Sequence, residues 1–163
     1  MVEPWMSGSY PEVDALLRPV LHSFDHAKLD LDTWTEGLTA QQLWAKPLGM
    51  GALGFHIRHI GGSVDRLFTY AKGEMLTEAQ LAELKNEEAP GADRRQLLSE
   101  LHTILDRVAA EVRTINPDTL KEPRSIGRKK LPTTLGGLLV HMAEHTQRHV
   151  GEAIVTAKVV RQY

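Results

Sequence analysis

The chain has 163 residues, of which 42% are hydrophobic and 25% charged, as in an ordinary globular domain, and we expect residues 1–163 to form one domain. Its net charge of −2 argues against a general nucleic-acid binder, because such proteins derive affinity from neutralising phosphates. The sequence contains no cysteine, which excludes disulfides, thiolate nucleophiles and cysteine metal sites. Any metal ion must therefore be held by His, Asp or Glu.

The first residues of the chain lack the apolar run of a secretory signal, and no later stretch approaches the ~20 apolar residues of a membrane-spanning helix. We therefore expect a cytoplasmic protein that does not bind a membrane.

The first predicted helix follows from apolar residues that recur every three or four positions between Val13 and Trp34. Ser9 and Glu12 have the spacing of a capping box. Pro19 lies inside this pattern and predicts either a kink or a later start of the helix, because proline removes a backbone donor.

The rest of the chain is also predicted to be helical. The patterns indicate a short helix at residues 39–44 and three long helices at residues 51–73, 93–115 and 132–158. Residues 74–91 are a charged connector with a small helix starting at Thr77, and residues 124–130 are expected to be a basic loop. Asp93 is the predicted N-cap of the third long helix. No segment alternates as a strand, so the prediction is an all-α four-helix bundle, with the short helix between helices 1 and 2 and the connector between helices 2 and 3.

Histidines dominate the chemistry of the last predicted helix, where His141, His145 and His149 follow one another at intervals of four. Two side chains four residues apart share a helix face about 6 Å apart along the axis, so their imidazoles can converge on one metal ion. His141 and His149, about 12 Å apart along the axis, cannot. The last helix can therefore supply either His141 with His145 or His145 with His149. The apolar stripe includes His145 and His149 and leaves His141 near its edge, which favours the pair His145 and His149. The alternative, ordinary histidines paired with water or carboxylates, is weakened by a second histidine pair on another helix.

That second pair is His56 and His59 on the predicted helix at residues 51–73. If Ile60 and Val64 mark the centre of its buried face, His56 lies nearer that centre than His59 does. Periodicity therefore favours His56 as the inward histidine.

Both histidine motifs resemble those of the DinB-like family. The stretch LGFHIRHIGGS at residues 53–63 resembles the second helix of that family, and residues 134–151 resemble its closing motif of two histidines four apart followed by a glycine. The helix order, and the stretch from Leu43 to Pro47, extend the resemblance over most of the chain.

The resemblance implies a four-helix bundle, often a homodimer, with a divalent metal ion held by three histidines. Carried onto this sequence, the ligands are His59, which directly precedes Ile60, together with His145 and His149. The family register thus selects His59 where the periodicity favours His56, and we follow the family. At Glu152 relatives commonly have glutamine, so this carboxylate is either an acceptor for a ligand histidine or an additional ligand.

Three imidazoles leave a divalent ion at least one open position, as in catalytic sites. We expect one ion per chain, zinc or nickel first, although iron and manganese also accept imidazole. The resemblance implies a metal-dependent enzyme of the thiol S-transferase or hydrolase type that acts on a small-molecule thiol or electrophile. The alternative is a non-catalytic, metal-binding or stress-associated dimer; a bis-histidine haem bundle is a third hypothesis and would need two histidines facing each other across a wide apolar slot.

Overall fold

The computed structural model describes residues 2–162, most of which are helical. The helices and strands, in chain order, are α1 Arg18–Trp34, α2 Ala40–Trp44, α3 Leu53–Ala71, α4 Glu78–Asn86, α5 Arg94–Val112, β1 Pro123–Ile126, β2 Leu131–Thr134 and α6 Leu135–Val160. Short stretches of 3-10 helix lie at Pro4–Met6, Pro47–Gly49 and Pro117–Lys121.

The four long helices, α1, α3, α5 and α6, form a bundle around one hydrophobic core. Helix α3 packs against α6 and α5, and α1 packs against the same two helices. Each long helix therefore contributes an apolar stripe to the core, and the predicted four-helix bundle is confirmed. Among the helices described, none is both long and apolar enough to cross a membrane.

The short elements confirm two further predictions. Helix α2 is the extra helix between α1 and α3, and α4 lies in the connector between α3 and α5. Thr39 and Thr77 start these two helices with capping boxes, in which the threonine side chain accepts from the backbone of the third helical residue. Asp93 caps α5 as predicted, accepting from Gln96 N.

Helix α1 begins later than the apolar pattern suggested, at Arg18. Pro19 occupies the second helical position, where its missing N–H costs nothing, so the later start is confirmed and the kink is not needed. The capping box predicted from Ser9 and Glu12 was wrong. Residues 11–17 form turns, and Leu16 is 69% exposed rather than part of the buried stripe.

The structure also differs from the prediction at residues 123–134, which form an antiparallel β-hairpin instead of a loop followed by the start of a helix. The strands are four residues long and mostly exposed, so they carry no clear hydrophobic alternation. Pro132 and Thr133 belong to β2, and Thr134 is the residue that caps α6, accepting from Gly137 N at 3.0 Å.

Close packing of α2 on α3 depends on Gly54. A Cβ there would lie 2.8 Å from the Trp44 ring. The ring cannot easily move, because its Nε1 donates to Ala92 O at 2.9 Å and the Arg58 guanidinium stacks over it at 4.9 Å. The short helix is thereby held against the start of α3.

Gly54→Ala should destabilise the fold by about 1 to 3 kcal/mol, because the added methyl overpacks this contact. The matched control is Gly151→Ala on α6, where a Cβ meets nothing within 4 Å. That change should stabilise by about 0.5 to 1 kcal/mol through helix propensity alone. Urea unfolding of both variants measures the difference, and equal effects would contradict the contact.

Candidate metal centre

Packing of α3 against α6 brings His59, His145 and His149 together. One ring nitrogen of each lies within 4.8 Å of the others. Nε2 of His59 is 3.0 Å from Nε2 of His145, and the His149 ring centroid lies 4.4 Å and 4.6 Å from those two rings. These are the three residues that the family resemblance implied as ligands.

A buried carboxylate from outside α3 and α6 orients His59. Glu87, at the C-cap of α4, places Oε2 2.7 Å from Nδ1 of His59. Its other oxygen lies 2.8 Å from the Arg66 guanidinium, and both of these side chains are more than nine-tenths buried. Because Nδ1 of His59 donates to a carboxylate, the lone pair of this imidazole is left on Nε2, facing His145.

A second carboxylate acts on His149 in the same way. Glu152, one turn further along α6, places Oε2 2.8 Å from Nδ1 of His149. The nitrogen left with a lone pair is then Nε2. Two of the three converging imidazoles thus have tautomers fixed by acidic residues, which is typical of metal-ligand histidines.

Of the two histidines on α3, His56 is the more buried, and His59 is the one that meets His145. His56 has 5% of its surface exposed, as its apolar stripe predicted. It does not join His145, however. Its Nδ1 lies 3.2 Å from Nδ1 of His149 and 3.4 Å from Oε2 of Glu152, so it belongs to a neighbouring group formed by these three residues.

His141 lies on the exposed side of α6, where its Nδ1 is 2.8 Å from Oε1 of Glu144. It belongs to neither of the two groups that could hold a metal ion among the described residues. Its position agrees with the helical-wheel argument that set it apart.

Burial favours the neutral forms of His145, His149 and His56. It lowers the pKa of His145 to about 4, and the neighbouring His149 and His59 add to the effect. Burial also lowers the pKa of His149 and of His56. Neutral imidazoles are the form that coordinates metal ions.

Glu87 behaves differently, because it has cationic and donor neighbours. Burial alone would raise the pKa of Glu87, but the hydrogen bond from His59 and the Arg66 guanidinium outweigh it and hold the pKa below its usual range. The carboxylate is therefore charged at neutral pH and would balance part of the charge of a cation held by His59.

The residues present fit a divalent transition-metal ion. Nδ1 of His145 is buried and has no hydrogen-bond partner among residues 2–162, while its Nε2 faces a second imidazole nitrogen instead of a matched donor or acceptor. A cation between the rings would use both Nε2 lone pairs. The donors are all imidazole nitrogens, which suit zinc, nickel or iron better than magnesium or calcium. The 3.0 Å approach of His59 and His145 also leaves no slot for a haem between them.

Two cavities lie beside the histidines. One, of about 190 Å³, is lined by His145, His141, Arg66 and Tyr70 among others. The second, of about 520 Å³, is lined by Phe55, His56 and Glu152 and by apolar atoms of α6. Phe55 stacks on His59 with ring centroids 5.2 Å apart, which shields one face of that imidazole. The smaller cavity therefore reaches His145 of the centre, whereas the larger one reaches the neighbouring His56 and Glu152.

Sequence reasoning missed Glu87 and Arg66. An arginine in a helix is expected at the surface, but Arg66 is only 8% exposed. Glu87 lies in the charged connector among other acidic residues, and no periodicity distinguishes it. The one indication in the sequence was Gly62, a glycine inside a helix, which can mark a close approach of other groups. In the structure a Cβ at Gly62 would lie 2.6 Å from Glu87 and 2.7 Å from Arg66.

Comparison with known proteins is consistent with this geometry. Residues 23–153 match the family model described as the DinB superfamily. A solved structure with a similar fold is that of YfiT from Bacillus subtilis, described as a probable metal-dependent hydrolase with an unusual four-helix bundle topology. The two chains are 18% identical, with a TM-score of 0.65 over 87% of this chain and 86% of YfiT, a level of identity that establishes similarity of fold. No curated protein matches the sequence.

The low pKa of His145 makes the stability of the metal-free protein depend on pH. The folded form protonates His145 only near pH 4, whereas the unfolded chain does so near 6.5, so acidification between these values favours unfolding. The free energy of unfolding should therefore fall as the pH is lowered from 6.5 to 4. His145→Asn should make this dependence less steep, because one of the groups whose pKa burial lowers is gone.

Urea unfolding of chelator-treated protein at several pH values measures this effect. His141→Asn is the matched control, since His141 is exposed on the same helix. Parallel curves for the His145→Asn variant and the unmodified protein would contradict the assignment.

Proposed function

Because this chain belongs to the DinB superfamily, we propose that it is a metal-dependent hydrolase of small molecules, acting through one divalent ion held by His59, His145 and His149. The observation that carries the proposal is the convergence of these three imidazoles at the junction of α3 and α6. The description of YfiT as a probable metal-dependent hydrolase supports the same class of reaction.

When bound, a divalent ion in such a site supplies Lewis acidity and activates water for attack at neutral pH. The three histidines provide neutral donors and leave at least one coordination position open. Glu87 holds the His59 ring in position and contributes negative charge, and Arg66 in turn fixes Glu87. Phe55 limits access of water to one face of His59.

Water is the nucleophile that this chain can support on its own. The sequence has no cysteine, so S-transfer would require a thiol brought in as a co-substrate. The thiol S-transferase type is therefore the alternative reaction, and a non-catalytic metal-binding dimer is the alternative function. Zinc or nickel is the proposed ion, with iron or manganese also compatible with imidazole ligands. A cytoplasmic homodimer remains the expected setting.

Loss of a ligand should remove tight metal binding. His59→Ala and His145→Ala should each weaken the tightest equivalent of zinc more than about 100-fold, beyond the effect typical of outer-shell changes. His56→Ala should affect that equivalent far less, because its nitrogen faces His149 rather than His145. Competition with a chromophoric chelator measures the affinities. His141→Ala serves as control and should bind as the unmodified protein does, and the reverse ranking of His56 and His59 would contradict the ligand set.

Ion-dependent hydrolysis tests the reaction itself. Chelator-treated protein should be inactive on a panel of small activated esters and amides, and one equivalent of zinc or nickel should restore turnover. His145→Ala should not regain turnover, whereas His141→Ala should. Turnover that requires an added low-molecular-weight thiol would favour the transferase, and activity that persists without the ion would contradict the proposal.

A further inference from the structure

A second group of potential ligands lies on the other side of His149. It consists of His56 on α3 and His149 and Glu152 on α6. Nδ1 of His56, Nδ1 of His149 and Oε2 of Glu152 are separated by 3.2, 3.4 and 2.8 Å. An ion at 2.0 to 2.1 Å from three donors in tetrahedral arrangement requires donor separations of about 3.3 to 3.4 Å. The observed triangle is within a few tenths of an ångström of that on two of its edges.

The orientation of His56 also suits a ligand. Its Nε2 lies on the side of Gly51, where a Cβ would approach it to 2.9 Å, and its Nδ1 lies on the side of α6. With the ring proton on Nε2, the lone pair is on Nδ1. That nitrogen faces His149 and Glu152.

The hydrogen bond between His149 and Glu152 leaves Nδ1 of His56 without a full partner of its own. His149 has one proton on Nδ1, and the carboxylate of Glu152, at 2.8 Å, is its better acceptor. Nδ1 of His56 then has at most a share of that proton, although the ring is 95% removed from solvent. A buried imidazole nitrogen without a full partner is costly, and a cation would satisfy it.

The surroundings allow an ion to enter and to bind an additional ligand. His56 and Glu152 line the cavity of about 520 Å³, whose other walls include Phe55, Val155 and Gly151. Glu152 is half exposed, so its carboxylate is free to turn toward an ion at the cavity wall.

We propose that His56, His149 and Glu152 form a second site for a divalent transition-metal ion, adjacent to the three-histidine site and sharing His149 with it. With both sites filled, His149 binds one ion through Nε2 and the other through Nδ1. The Nδ1 proton leaves to solvent when the second ion binds, and Glu152 changes from acceptor to ligand. Two imidazoles and one carboxylate select zinc, copper or nickel over magnesium and calcium. The second ion binds more weakly, because a proton must be displaced and the first ion is close.

The sharing of His149 means that this inference rests on the proposed function for its first site, and the variants separate the two. Zinc binding is measured by equilibrium dialysis and elemental analysis over a range of free zinc concentrations. The unmodified protein should bind one equivalent tightly and a second at higher free zinc. His56→Asn should keep the tight equivalent and weaken the second by at least about tenfold. Glu152→Gln should weaken the second equivalent as much and the tight one less, because the amide oxygen of glutamine can still accept from Nδ1 of His149.

Two further variants complete the test. Glu144→Gln is the matched control for Glu152→Gln, because Glu144 lies on the same helix and contacts His141 and Arg148 instead. It should bind both equivalents. A double variant, His59→Ala with His145→Ala, should lose the tight equivalent and retain one weaker ion that depends on Glu152.

Saturation of the unmodified protein at one equivalent, or a second equivalent unchanged by Glu152→Gln, would overturn the second site. Retention of the tight equivalent by the double variant would instead overturn the three-histidine site. Because Glu152 is half exposed, its variant tests the proposal even if the His56 variant does not fold.

Discussion

The packing of α3 against α6 is the interaction on which the centre depends. It brings together histidines that are 86 and 90 residues apart in the sequence, from two helices that contribute opposite sides of the same cluster. Imidazoles in this position lose hydration on several atoms at once, so each ring nitrogen needs a partner. Glu87 and Glu152 supply partners for one nitrogen each of His59 and His149, and the nitrogens that remain face inward.

Glu87 links the bundle to the centre through a buried chain of charges. Its carboxylate lies between His59 and Arg66, and the three side chains come from α3 and the end of α4. Space for this arrangement is provided by Gly62, since any larger residue would collide with both Glu87 and Arg66. The connector between α3 and α5 thus takes part in the centre, because it carries the carboxylate that orients His59, a predicted ligand.

Much of the fold and the three-histidine cluster could be predicted, for separate reasons. The helices with long apolar stripes were evident from periodicity, which reports burial along one element. Periodicity also ranked His56 as more buried than His59, and this is what the structure shows. It could not show which ring meets His145, because that depends on the rotation of α3 against α6. The family resemblance supplied that information. The β-hairpin and the Glu87 contact were not predictable, since both depend on tertiary placement of short polar segments with no pattern of their own.

His149 occupies the point where the two groups of potential ligands meet, with His59 and His145 on one side and His56 and Glu152 on the other.

The central claim is that His59, His145 and His149 bind a divalent ion. It is tested most directly by anomalous diffraction from crystals of the zinc-loaded protein, recorded on both sides of the zinc absorption edge. The account predicts a peak about 2.0 to 2.1 Å from one ring nitrogen of each of these three histidines. Zinc-loaded crystals with no anomalous peak among these nitrogens, or with a peak only between His56 and Glu152, would contradict it.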